Sequence, residues 1–208
     1  VDGEVGSDCT VHTLPHEEII PGELYRLPPT GENPVYSMDW NGTQVVYSTQ
    51  RCSGDPRKID IYYFDIDNLI EIPVSEAIDY QIGSSVWQNQ TVYSDYGYLD
   101  SNNELSNHRV EFMLYDFSSG IGTRLTDGNW AKILPTFNGT HVAYLSREYD
   151  PSGTGPMDLK LLDIATSAEI ELADHSQNTM RTYDISAEYV TWQAHPVSEP
   201  DVWDIFVH

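Results

Sequence analysis

NGTQVVY (Asn41–Tyr47), NQTVY (Asn89–Tyr93), NGTHVAY (Asn138–Tyr144) and AEYVTW (Ala187–Trp192) are four copies of one pattern, a turn followed by a short apolar strand ending in an aromatic. The closing aromatics are Tyr47, Tyr93, Tyr144 and Trp192, spaced 46, 51 and 48 residues apart. Each copy sits inside the same larger order. An inner strand (a) precedes it at Val35–Trp40, Ile82–Trp87, Lys132–Phe137 and Arg181–Ile185. A longer loop then leads to strand c at Asp60–Asp65, Glu111–Asp116, Asp158–Asp163 and Asp204–Val207, and strand d follows at Leu69–Pro73, Gly122–Leu125 and Glu169–Leu172. A repeat near fifty residues built only of strands predicts an all-β chain, a β-propeller with one blade per repeat.

The fourth repeat has no strand d of its own. GELYRLP (Gly22–Pro28) precedes the first inner strand much as GTRLTD (Gly122–Asp127) precedes the third. The expectation is therefore four blades of four antiparallel strands, closed by the N-terminal strand completing the last blade, so that no sheet edge stays open. The blades fall at about 35–74, 80–126, 131–173 and 181–208 plus strand 22–28, within one domain spanning 22–208. Residues 1–21, rich in Gly and Glu and carrying Cys9, fit no blade and read as a connecting arm. Two chains sharing a larger ring, or a piece of a longer propeller, remain as alternatives.

The period and the NGTxVxY hairpins resemble the TolB-type propeller repeat from Gly22 to the C-terminus, most clearly at Trp40–Tyr47 and Phe137–Tyr144. The second copy lacks the Gly, and the fourth lacks the Asn-Gly turn. The resemblance implies an all-β toroid used mainly for protein or glycan binding. It implies no single activity, because propellers host many.

Composition narrows the partners. Ten basic residues stand against 33 acidic ones, a net charge of −23. A field of that sign repels nucleic acid and anionic lipid, so neither is an expected partner. No apolar run is long enough to span a bilayer, so no membrane insertion is expected. The acids are spread along the chain rather than gathered in a tail. Three readings fit: a salt-adapted surface, calcium-binding loops of a secreted protein, and plain solubility. No basic segment followed by an apolar one opens the sequence, and residue 1 reads as a mature or trimmed end.

Cys9 and Cys52 are the only cysteines. In a Lys-poor, Tyr-rich chain an even pair points to an oxidising compartment, extracellular, periplasmic or at the cell surface. A Cys9–Cys52 disulfide is expected. It would close a loop of about 40 residues and stabilise by roughly 3–4 kcal/mol if unstrained. Two buried thiols are the alternative.

Long b–c loops mark one face as the place for function: Ser48–Ile59, Ser94–Val110, Leu145–Met157 and Gln193–Trp203. Asp95, Asp100, Asn102, Asn103 and Glu104 offer closely spaced hard oxygens of the kind Ca2+ prefers, without the register of an EF-hand. Tyr96, Tyr98 and Tyr149 offer aromatic faces beside carboxylates and amides, which suits sugar or peptide binding. His108 and His195 sit in loops of alternate blades and are candidates for a metal or catalytic role at the channel mouth, as in propeller polysaccharide lyases. Asn41, Asn89 and Asn138 each open an N-x-T sequon at an a–b turn. Glycans are one reading, and turn chemistry, which generates the same triplet, is the other.

The function expected from these features is a non-catalytic binding or scaffold module of an exported protein, recognising protein or carbohydrate through its b–c loops. The alternatives are a lyase or hydrolase at the channel mouth, and a structural subunit joined to its neighbours through the N-terminal arm.

Overall fold

A computed structural model describes residues 34–50, 59–75, 80–96, 110–128, 131–147, 157–176, 178–199 and 202–208. They form fifteen strands in four antiparallel sheets. The first sheet is β1 (Val35–Trp40), β2 (Gln44–Thr49), β3 (Asp60–Asp65) and β4 (Ile70–Ser75). The second is β5 (Gln81–Trp87), β6 (Gln90–Asp95), β7 (Glu111–Asp116) and β8 (Ile121–Arg124). The third is β9 (Ala131–Phe137), β10 (His141–Arg147), β11 (Asp158–Asp163) and β12 (Glu169–Ala173). The fourth has three strands, β13 (Asn178–Ile185), β14 (Val190–Pro196) and β15 (Asp204–Val207). Every sheet is a meander in chain order, as expected from hairpins repeated at a fixed period.

The sheets pack face to face through alternate residues of their strands. Val46, Ile61 and Tyr63 of the first sheet meet Val86 and Tyr93 of the second. Val92 and Phe112 of the second meet Phe137, Val142, Tyr144 and Leu162 of the third, with the Phe112 and Tyr144 rings edge to face at 5.0 Å. Period-2 alternation thus sends neighbouring residues such as Val92 and Tyr93 into different cores. The third and fourth sheets touch on a narrower front, mainly β10 and β9 against β13. Among the described residues no substantial packing joins the fourth sheet to the first.

Each inner strand carries a β-bulge, between Val35 and Ser37, between Ile82 and Ser85, between Ile133 and Thr136, and between Met180 and Thr182; those of β5 and β9 lie across from Tyr93 and Tyr144, and those of β1 and β13 lie across from Ser48–Thr49 and Gln193–Ala194. Gly83 and Leu134 both take positive φ at their bulges, 70° and 54°. A Cβ on Gly83 would stand 3.3 Å from Pro135 of the next sheet, so the close approach of two inner strands explains that glycine.

The a–b turns correct one alignment made from the sequence. Asn41 and Asn138 are the first residues of their turns, with N–H groups donating to Gln44 O and His141 O. In the second sheet Trp87 pairs with Gln90, so Trp87 takes that first place and Asn89 stands where Thr43 and Thr140 stand. The three sequons are therefore not in register. The residue at the first place reaches toward the next sheet. Asn41 Nδ2 donates to Gln88 O at 2.5 Å, Asn138 Nδ2 donates to Ser186 O at 2.7 Å, and the Trp87 indole lies against Gly139. The amide nitrogen that a glycan would occupy is already a donor between sheets at Asn41 and Asn138. Turn chemistry accounts for those triplets.

Candidate functional site

Strands c begin and strands d end at one edge of the sheets, the edge that carries the long b–c loops. Tyr98, Asp100, Asn102, Asn103, Glu104, His108 and Tyr149 lie outside the described residues, as do Cys9 and Cys52. Asp95, Tyr96 and His195 are described, and each is held at the root of a loop.

Asp95 ends β6 and its carboxylate accepts a hydrogen bond from Gln81 Nε2 at 3.4 Å. Tyr96 follows it, and its N–H donates to Tyr80 O at 2.9 Å. The Tyr80 and Tyr96 rings stand edge to face at 6.2 Å. Burial pushes the Tyr96 phenol up from its ordinary value, while Arg147, at the end of β10, pulls it the other way. Two rings, an amide, a carboxylate and a guanidinium thus gather where the loops of the second and third sheets leave their strands. Tyr80, Gln81 and Arg147 escaped the sequence reading because their neighbourhood is made by the packing of β5, β6 and β10.

His195 is buried, its ring edge to face with Trp203 at 4.4 Å. Its Nδ1 lies 3.0 Å from Pro196 O. The imidazole is packed as part of the fourth sheet.

The same edge holds a row of acids that head strand c in every repeat: Asp60, Glu111, Asp158 and Asp204. The first three are buried and Asp204 is exposed. Glu111, with 0% exposure, accepts from Gly128 N at 2.9 Å, Thr126 Oγ1 at 2.6 Å and Arg124 at 3.2 Å. Buried Lys132 completes its neutralisation at 3.5 Å. Asp158 accepts from His175 N at 3.0 Å and lies 2.5 Å from His175 Nδ1. In both sheets the acid clamps the chain just beyond strand d, fixing the crossover to the next inner strand. Asp174 joins Asp158 and His175 in a group whose ligand-type atoms lie within 4.8 Å of one another, the one such group among the described residues. Hydrogen bonds from the Ser176 N–H and hydroxyl hold the Asp174 carboxyl below its ordinary range. Clamping and turn formation account for all three side chains.

A cleft lies at the opposite edge, among the a–b turns of the first two sheets. It has a volume of about 470 Å³ and is lined by Trp40, Trp87, Gln44, Gln88 and Asn89 among others.

No protein-family model matches the chain, and no curated protein matches it in sequence. Solved structures match its backbone. One is a protein assigned as TolB from Agrobacterium tumefaciens, with a TM-score of 0.53 at 17% identity over 80% of this chain and 56% of that one. TolB from Acinetobacter baumannii matches at 0.55 and 12% identity, over 85% of this chain and 41% of that one. The β-propeller domain of the Trilobed protease from Pyrococcus furiosus, described as having an open velcro topology, matches at 0.58 and 9% identity, over 84% and 54%. The chain therefore spans about half the length of the structures it matches or less. With its four antiparallel meanders and these neighbours, the chain has a TolB-like β-propeller fold whose sheets are its blades.

Proposed function

We propose that this protein is a non-catalytic binding or scaffold module of an exported protein, and that it meets a protein or carbohydrate ligand on its b–c loop face. The observation that carries the reading is the Tyr80–Tyr96 pair with Gln81, Asp95 and Arg147 beside it. Aromatic edges flanked by a few oriented polar groups suit sugar and peptide recognition, since the rings supply contact area and the polar groups set orientation. Tyr98 and Tyr149, farther along the same loops, extend the surface in this reading, and calcium on Asp95, Asp100, Asn102 and Glu104 would order it. The same reading takes the propeller as four-bladed, with strand 22–28 completing the last blade.

The test is binding of the wild-type protein and of Tyr96→Ala to arrayed oligosaccharides and peptides, with thermal melting alongside. The expected outcome is selective retention by the wild type and a loss of about tenfold or more for the variant, at similar melting temperature. Binding that Tyr96→Ala leaves intact would remove this face from the reading. Turnover of an arrayed polysaccharide would favour the lyase or hydrolase alternative, with His108 and His195 as the groups to substitute first.

A further inference from the structure

We propose that the cleft among the a–b turns of the first two blades is a second binding site, at the opposite edge from the b–c loops, and that it takes an uncharged hexose unit of a glycan chain. It stands independently of the Tyr96 surface.

The cleft is made by a departure from the repeat. In the first and third turns the leading residue is asparagine, Asn41 or Asn138, and glycine follows, Gly42 or Gly139. In the second turn Trp87 and Gln88 hold those two places. Gln88 has a φ of 49°, a left-handed conformation that glycine adopts freely and an L side chain adopts only under strain. Both residues line the cleft. A strained residue kept at the wall of an opening, where the sister turns use glycine, marks a functional position. Trp40, which ends β1, lines the same cleft and is 63% exposed, whereas its counterparts Val86 and Phe137 are buried. Asn41 ties the two blades together here. Its Nδ2 donates to Gln88 O at 2.5 Å and to Gln44 Oε1 at 2.8 Å.

The lining selects the ligand. Among the described residues no charged side chain lines the cleft, in a chain where 21% of residues are charged. The matching cleft between the third and fourth blades is different in kind. There His141 stands for Gln44, Ser186 for Trp87 and Glu188 for Asn89, and the volume is about 260 Å³ against about 470 Å³. Two indoles beside carboxamides are therefore particular to the first opening and are not a by-product of the repeat. Its volume lies within the range of about 300–1,000 Å³ usual for small-molecule sites. Indole faces stack on the C–H faces of a pyranose ring, and carboxamides both donate to and accept from its hydroxyls. The Gln88 amide has no hydrogen-bond partner among the described residues, which leaves it for such a contact. A net charge of −23 repels uronates and sulfated sugars, so the unit bound is uncharged.

The test is calorimetric titration of the full-length chain with cellopentaose and chitopentaose, and with an oligogalacturonate as the anionic counterpart. The wild type is expected to bind an uncharged probe and not the anionic one. Trp40→Ala is expected to weaken that binding about tenfold or more, and Trp40→Phe, which keeps an aromatic face, to recover most of it. Gln88→Gly relieves backbone strain, so it is expected to keep or raise the melting temperature while weakening binding about threefold or more. A merely structural role for Gln88 would not separate the two readouts in that way. Absence of binding to both uncharged probes, equal binding of the oligogalacturonate, or binding that Trp40→Ala leaves intact would overturn the proposal. Tyr96→Ala distinguishes the two faces. A loss in Tyr96→Ala with Trp40→Ala unaffected moves the sugar to the b–c loops and overturns this site, whereas a loss confined to Trp40→Ala supports it and leaves the Tyr96 surface to a different ligand.

Discussion

Gly139 shows how closely single residues are fitted. It has a φ of 93°, and a Cβ there would stand 2.6 Å from the Trp87 ring. Gly42 heads the equivalent turn position with a φ of 108° and open space around it. Alanine at Gly42 meets only backbone strain, so Gly42→Ala is expected to cost about 1–2 kcal/mol in urea unfolding. Gly139→Ala adds a clash between blades and is expected to cost about 2–4 kcal/mol. Equal costs at the two positions would mean that the Trp87 indole moves aside freely. The Asn-Gly dipeptide is identical at both sites, and only the neighbour across the blade boundary separates them.

At the scale of the elements, one device recurs. Asp65, Asp116 and Asp163 end strand c, and each accepts backbone N–H groups of the c–d turn: Asn68 at 3.0 Å, Ser119 at 2.9 Å and Thr166 at 2.9 Å. The hydrogen bond from the Ser119 N–H holds the Asp116 carboxyl below its ordinary range, and that from the Thr166 N–H does the same for Asp163. A carboxylate with a lowered value in the fold stabilises it above the unfolded-state value, and this contribution fades as pH falls through the folded one. The turns are therefore expected to add an acid-side loss of stability. Asp116→Ala with Asp163→Ala should flatten the change in urea midpoint between about pH 7 and about pH 3. An unchanged slope would place the acid sensitivity outside these turns. The tyrosines work in the opposite direction. Burial pushes the Tyr63, Tyr144 and Tyr183 phenols up, so they favour the fold until pH rises past the ordinary tyrosine range.

Charge governs the molecule as a whole. A net charge of −23 on 208 residues opposes compaction through self-repulsion, and salt screens it. The melting temperature is expected to rise steadily between about 0.1 M and about 1 M NaCl. Calcium at matched ionic strength separates two of the readings of the acidity: an extra rise at low calcium would point to specific sites, and its absence to a salt-adapted surface. The first blade adds a second large-scale feature. Tyr36, Met38 and Trp40 of its inner strand are exposed, whereas Val86 and Phe137, which match Trp40, are buried against a preceding blade. The ends of the blade series thus differ in kind from its middle.

The repeat is written in the spacing of the chain. Period, hairpin turns and alternation specified four meanders, and strands c fell at Asp60–Asp65, Glu111–Asp116, Asp158–Asp163 and Asp204–Val207, as observed. These features are local, set by residues within a few positions of each other, so one-dimensional spacing records them. The tertiary structure settled how the strands register and how the sheets meet. It placed Trp87, not Asn89, at the head of its turn, and set a β-bulge in each inner strand. It buried His195 against Trp203 and gathered Tyr80, Tyr96 and Arg147 from three strands or their ends. These contacts range from partners within one sheet, such as His195 with Trp203, to partners about one repeat apart, such as Tyr96 with Arg147, and they are chosen by strand register and by the packing of one sheet on the next, which no short stretch of sequence contains.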